Sequence, residues 1–414
     1  MYILYFGIII ISGYFLSVFA KKIGFPQIVG YLAAGILLNP QSFSIIPTDF
    51  LKITDTVTNF CLAFITFEIG SNFSVAELKK TGKKFFSLAF FEAFSAFILL
   101  FIVFFVLSMY ILPLSTEGIA AAAAFSLILA SLGAPTDPSA TLAVIHEYKA
   151  KGQVTNTILG AAAFDDIVTL VLFSLSVSIS QTILGSQGFS VLHITYAILY
   201  KITGAVFTGL VFGFVVNKLT VFLAVSDKKS LLILFLASLS LTYGLSEYLG
   251  FDELFSTLAL GFVIRNFNKS EKKIIDITEN GLEDLIFLIF FVFSAMHFNF
   301  DTITGVIILL IFAFILTRFF GKYLGMKIGT TLLKMSPNVK KYAFGGLIPQ
   351  GGIVLGLSLI ITQNHYFKDF SNLLVGIIMG ATIIHEFIGP FVSKLVLEKA
   401  EELKKIKKNK EKLK

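Results

Sequence analysis

The chain has 414 residues, of which 56% are hydrophobic and 14% charged, with a net charge of +7 and a mean hydropathy of +0.86. A soluble domain of this size carries about 25% charged residues, so the composition excludes an ordinary soluble globular protein and points to an all-α polytopic membrane protein. The positive balance is not a nucleic-acid signature, because much of it sits in the tail Lys404-Lys405-Ile406-Lys407-Lys408, where it suits a membrane surface.

Thirteen apolar segments follow one another, at about 3–20, 24–40, 54–72, 84–112, 118–146, 154–183, 192–220, 229–247, 251–266, 282–298, 303–328, 341–363 and 370–396. The first lacks a basic n-region and a small-residue cleavage site, so it reads as a helix and not as a removable signal. No polar stretch between segments is long enough for a second domain. The expected division is one transmembrane domain over 1–398 and a basic cytoplasmic tail over 399–414. The single Cys61 permits no intramolecular disulfide and no cysteine metal site, and the five histidines show no ligand spacing.

Loop charge sets the orientation. Loops after odd-numbered segments carry the lysines and arginines, among them Lys21, Lys22, Lys83, Lys84, Lys149, Lys151, Lys228, Lys229, Arg265, Lys272, Lys273, Lys340 and Lys341. Loops after even-numbered segments carry only Lys52 and Lys368. A multi-pass protein of the cell membrane is expected, with the N-terminus outside and the C-terminus in the cytoplasm. Lys201, Arg318 and Lys322 fall inside segments; Lys201 reads as a snorkelling side chain or a displaced boundary.

Thirteen crossings divide as six, one and six, and the middle crossing inverts the second group. Inverted repeats with broken helices are a secondary-transporter plan. The breaks fall at matching places. In segment five, Leu132-Gly133-Ala134-Pro135-Thr136-Asp137-Pro138 cannot continue a regular helix. In segment twelve, the break is Gly345-Gly346-Leu347-Ile348-Pro349-Gln350-Gly351-Gly352. Unwound backbone at that depth requires protein or water partners, and half-helix ends there place partial charges inside the membrane.

Segment six carries Asp165-Asp166 within a long apolar run. Intramembrane acids are expensive and mark ion pathways. Adjacent helical residues point about 100° apart, which favours two roles: one acid on an ion cavity, the other against a buried cation. Hard oxygen ligands suit Na⁺ or Li⁺. Arg318 and Lys322 lie one turn apart on segment eleven and need carboxylates if buried; interface snorkelling is the other reading of Lys322. The buried acids on offer are Asp137, Asp165, Asp166, Glu68, Glu92 and Glu386. Glu68 reads as an outer ligand or proton acceptor, or as a hydrogen-bonded interior acid. Glu92 reads as structural. Glu386, the repeat counterpart of the aspartate pair, reads as a partner for segment-twelve backbone or a basic group, ahead of ion binding.

These residues resemble the monovalent cation:proton antiporters, most of all the second family of that superfamily, with its NapA-like and Kef-like membrane domains. Gly24-Phe25-Pro26-Gln27-Ile28-Val29-Gly30 resembles the opening signature, Asp165-Asp166 the two-aspartate site, Arg318 with Gly321 the basic residue of the eleventh helix, Pro349-Gln350-Gly351-Gly352 the broken twelfth helix, and Glu386 with Gly389-Pro390 the closing segment. Thr136-Asp137-Pro138 and an acid at Glu68 are closer to the NhaP-type pattern. The resemblance implies the Na⁺/H⁺ antiporter fold, with core helices at about 84–183 and 303–396, scaffold and dimerisation helices at about 1–72 and 192–298, and a homodimer. It implies no enzyme and no cofactor beyond transported Na⁺, Li⁺ or K⁺ and H⁺. It implies elevator-type exchange with Asp166 as principal ligand and proton carrier, Asp165 paired with Arg318, and main-chain oxygens around Thr136 as further ligands. Two-aspartate members often have lysine where this chain has Arg318, and arginine stays protonated, so the charge moved per cycle is left open. No nucleotide-binding domain of the Kef type follows the last segment, which weakens a gated potassium-efflux reading. The alternative from a different class is a sodium-coupled symporter of a small organic anion on a related fold.

Overall fold

The structure, a computed structural model, describes residues 2–403 apart from 24–26, 42–44, 73, 78–81, 111–117, 138–140, 143, 146–147, 186–190, 223–226, 269 and 298–304. Each apolar segment contains one main helix: α1 (Tyr2–Lys22), α2 (Gln27–Leu38), α3 (Thr48–Ser71), α4 (Lys83–Tyr110), α5 (Ile119–Leu132), α6 (Gln153–Leu184), α7 (Val191–Phe222), α8 (Lys228–Leu249), α9 (Glu253–Phe267), α10 (Glu283–Met296), α11 (Gly305–Leu332), α12 (Gly352–Gln363) and α13 (Lys368–Lys399). Eight of these are individually long and apolar enough to cross a membrane. α2, α5 and the run 353–363 are shorter apolar helices. α5 and α12 are short because the backbone unwinds beside them, as the proline and glycine runs predict. Of the segment-five break, Pro138 lies outside the described residues.

Helix packing falls into two sets. α4, α5, α6, α11, α12 and α13 pack on one another, and α1, α2, α3, α7, α8, α9 and α10 do likewise. The seam between them is made mainly by α12 against α3 and α10, and by α6 against α3, α7 and α9. Close approach of α4 to α11 depends on glycine: a Cβ at Gly325 would lie 2.3 Å from the Phe91 carbonyl oxygen, and one at Gly321 would lie 2.6 Å from the Ala96 Cα. That approach sets Lys322 directly against α4.

Helix ends are secured locally. Asp227 caps α8, accepting the Ser230 N–H at 2.9 Å, and this bond holds its carboxyl below the usual range. Lys201 donates to Gln181 Oε1 at 2.7 Å, tying α7 to α6. The start of α6 is capped from the far end of the sequence. Glu402 accepts from the backbone N–H of Val154 and of Thr155 and from Thr155 Oγ1, each at 2.7 Å. A carboxylate there satisfies orphan donors and opposes the helix dipole. Glu402→Ala is expected to destabilise by about 1–2 kcal/mol, with faster amide exchange over the first turn of α6.

Candidate functional site

The two breaks cross and hold each other. The Asp137 N–H donates to the Pro349 carbonyl at 3.0 Å, Gln350 Nε2 to the Leu132 carbonyl at 2.7 Å, Thr136 Oγ1 to the Leu347 carbonyl at 3.2 Å and Thr141 Oγ1 to the Gly346 carbonyl at 2.8 Å. Each break thus supplies the partners that the other's unwound backbone requires.

Arg318 does not pair with Asp165, contrary to the sequence expectation. Its fully buried guanidinium donates from Nε to the Gly133 carbonyl at 2.9 Å, from Nη2 to the Pro135 carbonyl at 2.6 Å and from Nη1 to the Ile348 carbonyl. Gly133 closes α5, and Ile348 closes the 3₁₀ turn Ala343–Leu347. Arginine therefore neutralises the carbonyl ends of both interrupted helices, where partial negative charge accumulates. Its planar fork of five donors suits several carbonyls at once.

Lys322 takes the place expected of Arg318. It is fully buried, which removes the snorkelling reading, and its Nζ donates to Glu92 Oε1 and, at 2.7 Å, to Thr136 Oγ1. It lies 3.6 Å from Asp165 Oδ2. Glu92, whose relevance the sequence reading understated, completes a buried cluster of two carboxylates, one ammonium and one hydroxyl. The sequence showed an acid and a lysine each inside an apolar segment, but not that the two segments pack together. Removing one member of a buried pair costs about 3–5 kcal/mol, because the other charge is stranded. Lys322→Met is expected to lower the melting temperature sharply, and Glu92→Leu/Lys322→Met to lose less than the sum of the single changes.

Asp166 points elsewhere. It is half-buried and lines a cavity of about 370 Å³ together with Glu68, Asn72, Pro135, Thr136, Asp137, Glu283 and Gly351, among others. The cavity lies on the seam between the two helix sets, walled by α2, α3 and α10 on one side and by α6, α12 and the first break on the other. Oxygen donors predominate among its polar groups, which fits a small hard cation as cargo. The Thr136 hydroxyl is already committed to Lys322 and Leu347. Asn72 and Glu283 were missed by the sequence reading. Glu283 opens α10, and an acid in a first turn reads as ordinary dipole complementation. A π-helical stretch, Thr278–Leu282, immediately precedes it, a distortion frequent at functional sites.

Pro349 and Gln350 sit at the crossing, away from the cavity lining just named. Glu386 is fully buried with neither oxygen hydrogen-bonded, so the partnership expected with a basic group or segment-twelve backbone is not made. Its carboxylate instead faces Gly351 and Asp137.

Residues 7–395 match the family described as sodium/hydrogen exchanger, transmembrane. Among curated proteins, cation/H(+) antiporter 19 of Arabidopsis thaliana is 31% identical over 90 residues, which is 20% of this chain and only 11% of that protein's length. Among solved structures, the sodium proton antiporter MjNhaP1 of Methanocaldococcus jannaschii at pH 8 aligns with a TM-score of 0.73 at 18% identity, covering 97% of this chain and 98% of that one. An electron-microscopy structure of the same antiporter aligns with a TM-score of 0.69 at 20% identity, covering 100% and 99%. At these identities the structural likeness is one of fold.

Proposed function

The chain belongs to the transmembrane sodium/hydrogen exchanger family, and from that premise we propose that it exchanges a monovalent cation for protons through the cavity at Asp166. The observation that carries this reading is the division of labour between adjacent aspartates: Asp165 lies against Lys322, while Asp166 is turned into the oxygen-lined cavity. Asp166 is the group on which cation and proton compete, because a carboxylate must shed its proton to bind a metal ion. Glu68, Asp137 and the main-chain oxygens around Thr136 complete the ligand set. Asp165 holds Lys322 against the first break. Na⁺ or Li⁺ is the expected cargo, with K⁺ as the close variant.

The two helix sets give the moving parts. The crossed breaks, Arg318 and the Asp165–Lys322–Glu92 cluster all belong to the set of α4, α5, α6, α11, α12 and α13. That set is a transport core which shifts against the other as a unit and exposes Asp166 to one side at a time. The scaffold set supplies the homodimer contact. With the lysine-rich loops in the cytoplasm, Asn72 and Glu283, at the ends of α3 and α10 nearest those loops, place the cavity mouth on the cytoplasmic side.

The test is transport in proteoliposomes under an imposed pH gradient, with Na⁺, Li⁺ and K⁺ in turn. Cation-dependent collapse of the gradient supports antiport. Solute uptake with Na⁺ and no proton movement would contradict it.

A further inference from the structure

Glu386 is the buried charge that the exchange site does not use. It sits on α13, where Gly389 brings that helix onto the second break: a Cβ at Gly389 would lie 2.7 Å from Pro349 Cγ. From there its carboxylate reaches the α-carbon of Gly351. A Cβ at Gly351 would lie 2.7 Å from Glu386 Oε1 and 1.9 Å from Asp137 Oδ2, so one carboxylate from α13 and one from the first break converge on one glycine. Only glycine leaves that space open.

Both Glu386 oxygens are buried without a hydrogen-bond donor, and no ion pair to Glu386 occurs among the described residues. Thr382 Oγ1, one turn earlier on the same face of α13, is also buried and unpartnered. So is Gln350 Oε1, next to Gly351 in sequence. A desolvated carboxylate is neutralised either by a cation or by a proton. The cations built into the core are spent elsewhere, Arg318 on the carbonyls of Gly133, Pro135 and Ile348, and Lys322 on Glu92, Asp165 and Thr136. Among the described residues no charged side chain is left to neutralise Glu386, so the neutralising ion comes from solution. Glu386, Asp137, Thr382 and Gln350 offer oxygens, and no group of three or more His, Cys, Asp or Glu side chains gathers for a metal ion among the described residues. That set suits a hard monovalent ion and gives a transition metal no soft or imidazole ligand.

We infer that Glu386 and Asp137 form a second monovalent-cation station beside Gly351, distinct from Asp166 and sharing Asp137 with it. The inference rests on the reading of the cavity as a cation path. Asp137 and Gly351 line that cavity and Glu386 stands behind them. An ion moves from the Asp166 station to this one by exchanging one carboxylate while keeping the other.

The test measures saturable binding of radioactive sodium to the purified full chain at fixed pH and ionic strength. Asp166→Asn is expected to retain a saturable component, and Asp166→Asn/Glu386→Gln to lose it. Glu386→Asp in the Asp166→Asn background keeps the charge but withdraws it by one methylene, and is expected to weaken that component roughly 10–100-fold. This variant carries the test if the glutamine substitution fails to fold. Absence of saturable binding in Asp166→Asn, or a component untouched by both Glu386 changes, overturns the second station and leaves the exchange site standing. Proton uptake by Glu386 with no sodium bound also overturns it. Wild-type antiport by Asp166→Asn would instead overturn the exchange site.

Discussion

Asp166→Asn is expected to reduce cation-dependent proton movement to background while leaving folding intact. The carboxamide matches the carboxylate in shape but cannot exchange a proton for a metal ion, so the competition that couples the two fluxes disappears. Asp166 lies on a cavity wall and makes none of the contacts that hold the breaks together, so the melting temperature should stay close to that of the wild type. Everted vesicles with a pH-sensitive dye read the effect directly. Dequenching at the wild-type rate would refute the assignment of the site.

Arg318→Ala is expected to produce the largest loss of stability of any single substitution in the core. The change strands the carbonyls of Gly133, Pro135 and Ile348 in a buried site. Each unsatisfied buried group costs ~1–3 kcal/mol, so the total reaches several kcal/mol. Arg318→Lys should recover only part of this, because one ammonium cannot reproduce the planar fork. Thermal unfolding in detergent measures the loss. Cation affinity in whatever fraction remains folded should change less than stability does, since the guanidinium faces backbone and not Asp166. Unchanged melting would contradict the role given to Arg318.

The thirteen-segment plan was legible because each segment is a long apolar run, and because lysines concentrate in alternate loops, with only Lys52 and Lys368 in the others. Proline and glycine made both breaks visible, since few other residues interrupt a helix so plainly. The geometry of adjacent helical residues was enough to expect that Asp165 and Asp166 face different surroundings. What could not be read was the choice of partner. Arg318 and Lys322 share one face of α11, and sequence spacing does not say which of them meets a carboxylate. Glycines at 321 and 325 decide it by drawing α11 onto Glu92 of α4, a contact between helices far apart in the chain. Arg318, one turn away, meets the crossing carbonyls instead. Glu283 stayed hidden for a related reason. Its place on the cavity depends on how α10 packs against α2 and α3, and at the head of a helix it resembles any other acid in a first turn.

The competition at Asp166 is tested most directly by the apparent Michaelis constant for the transported cation, measured in proteoliposomes across a series of pH values. One carboxylate that binds either ion must release a proton before the cation enters. On the acid side of the profile the constant should therefore rise about tenfold for each unit fall in pH, with the maximal rate unchanged. A Michaelis constant that stays flat across the same range, with only the maximal rate moving, would mean that cation and proton do not share the site.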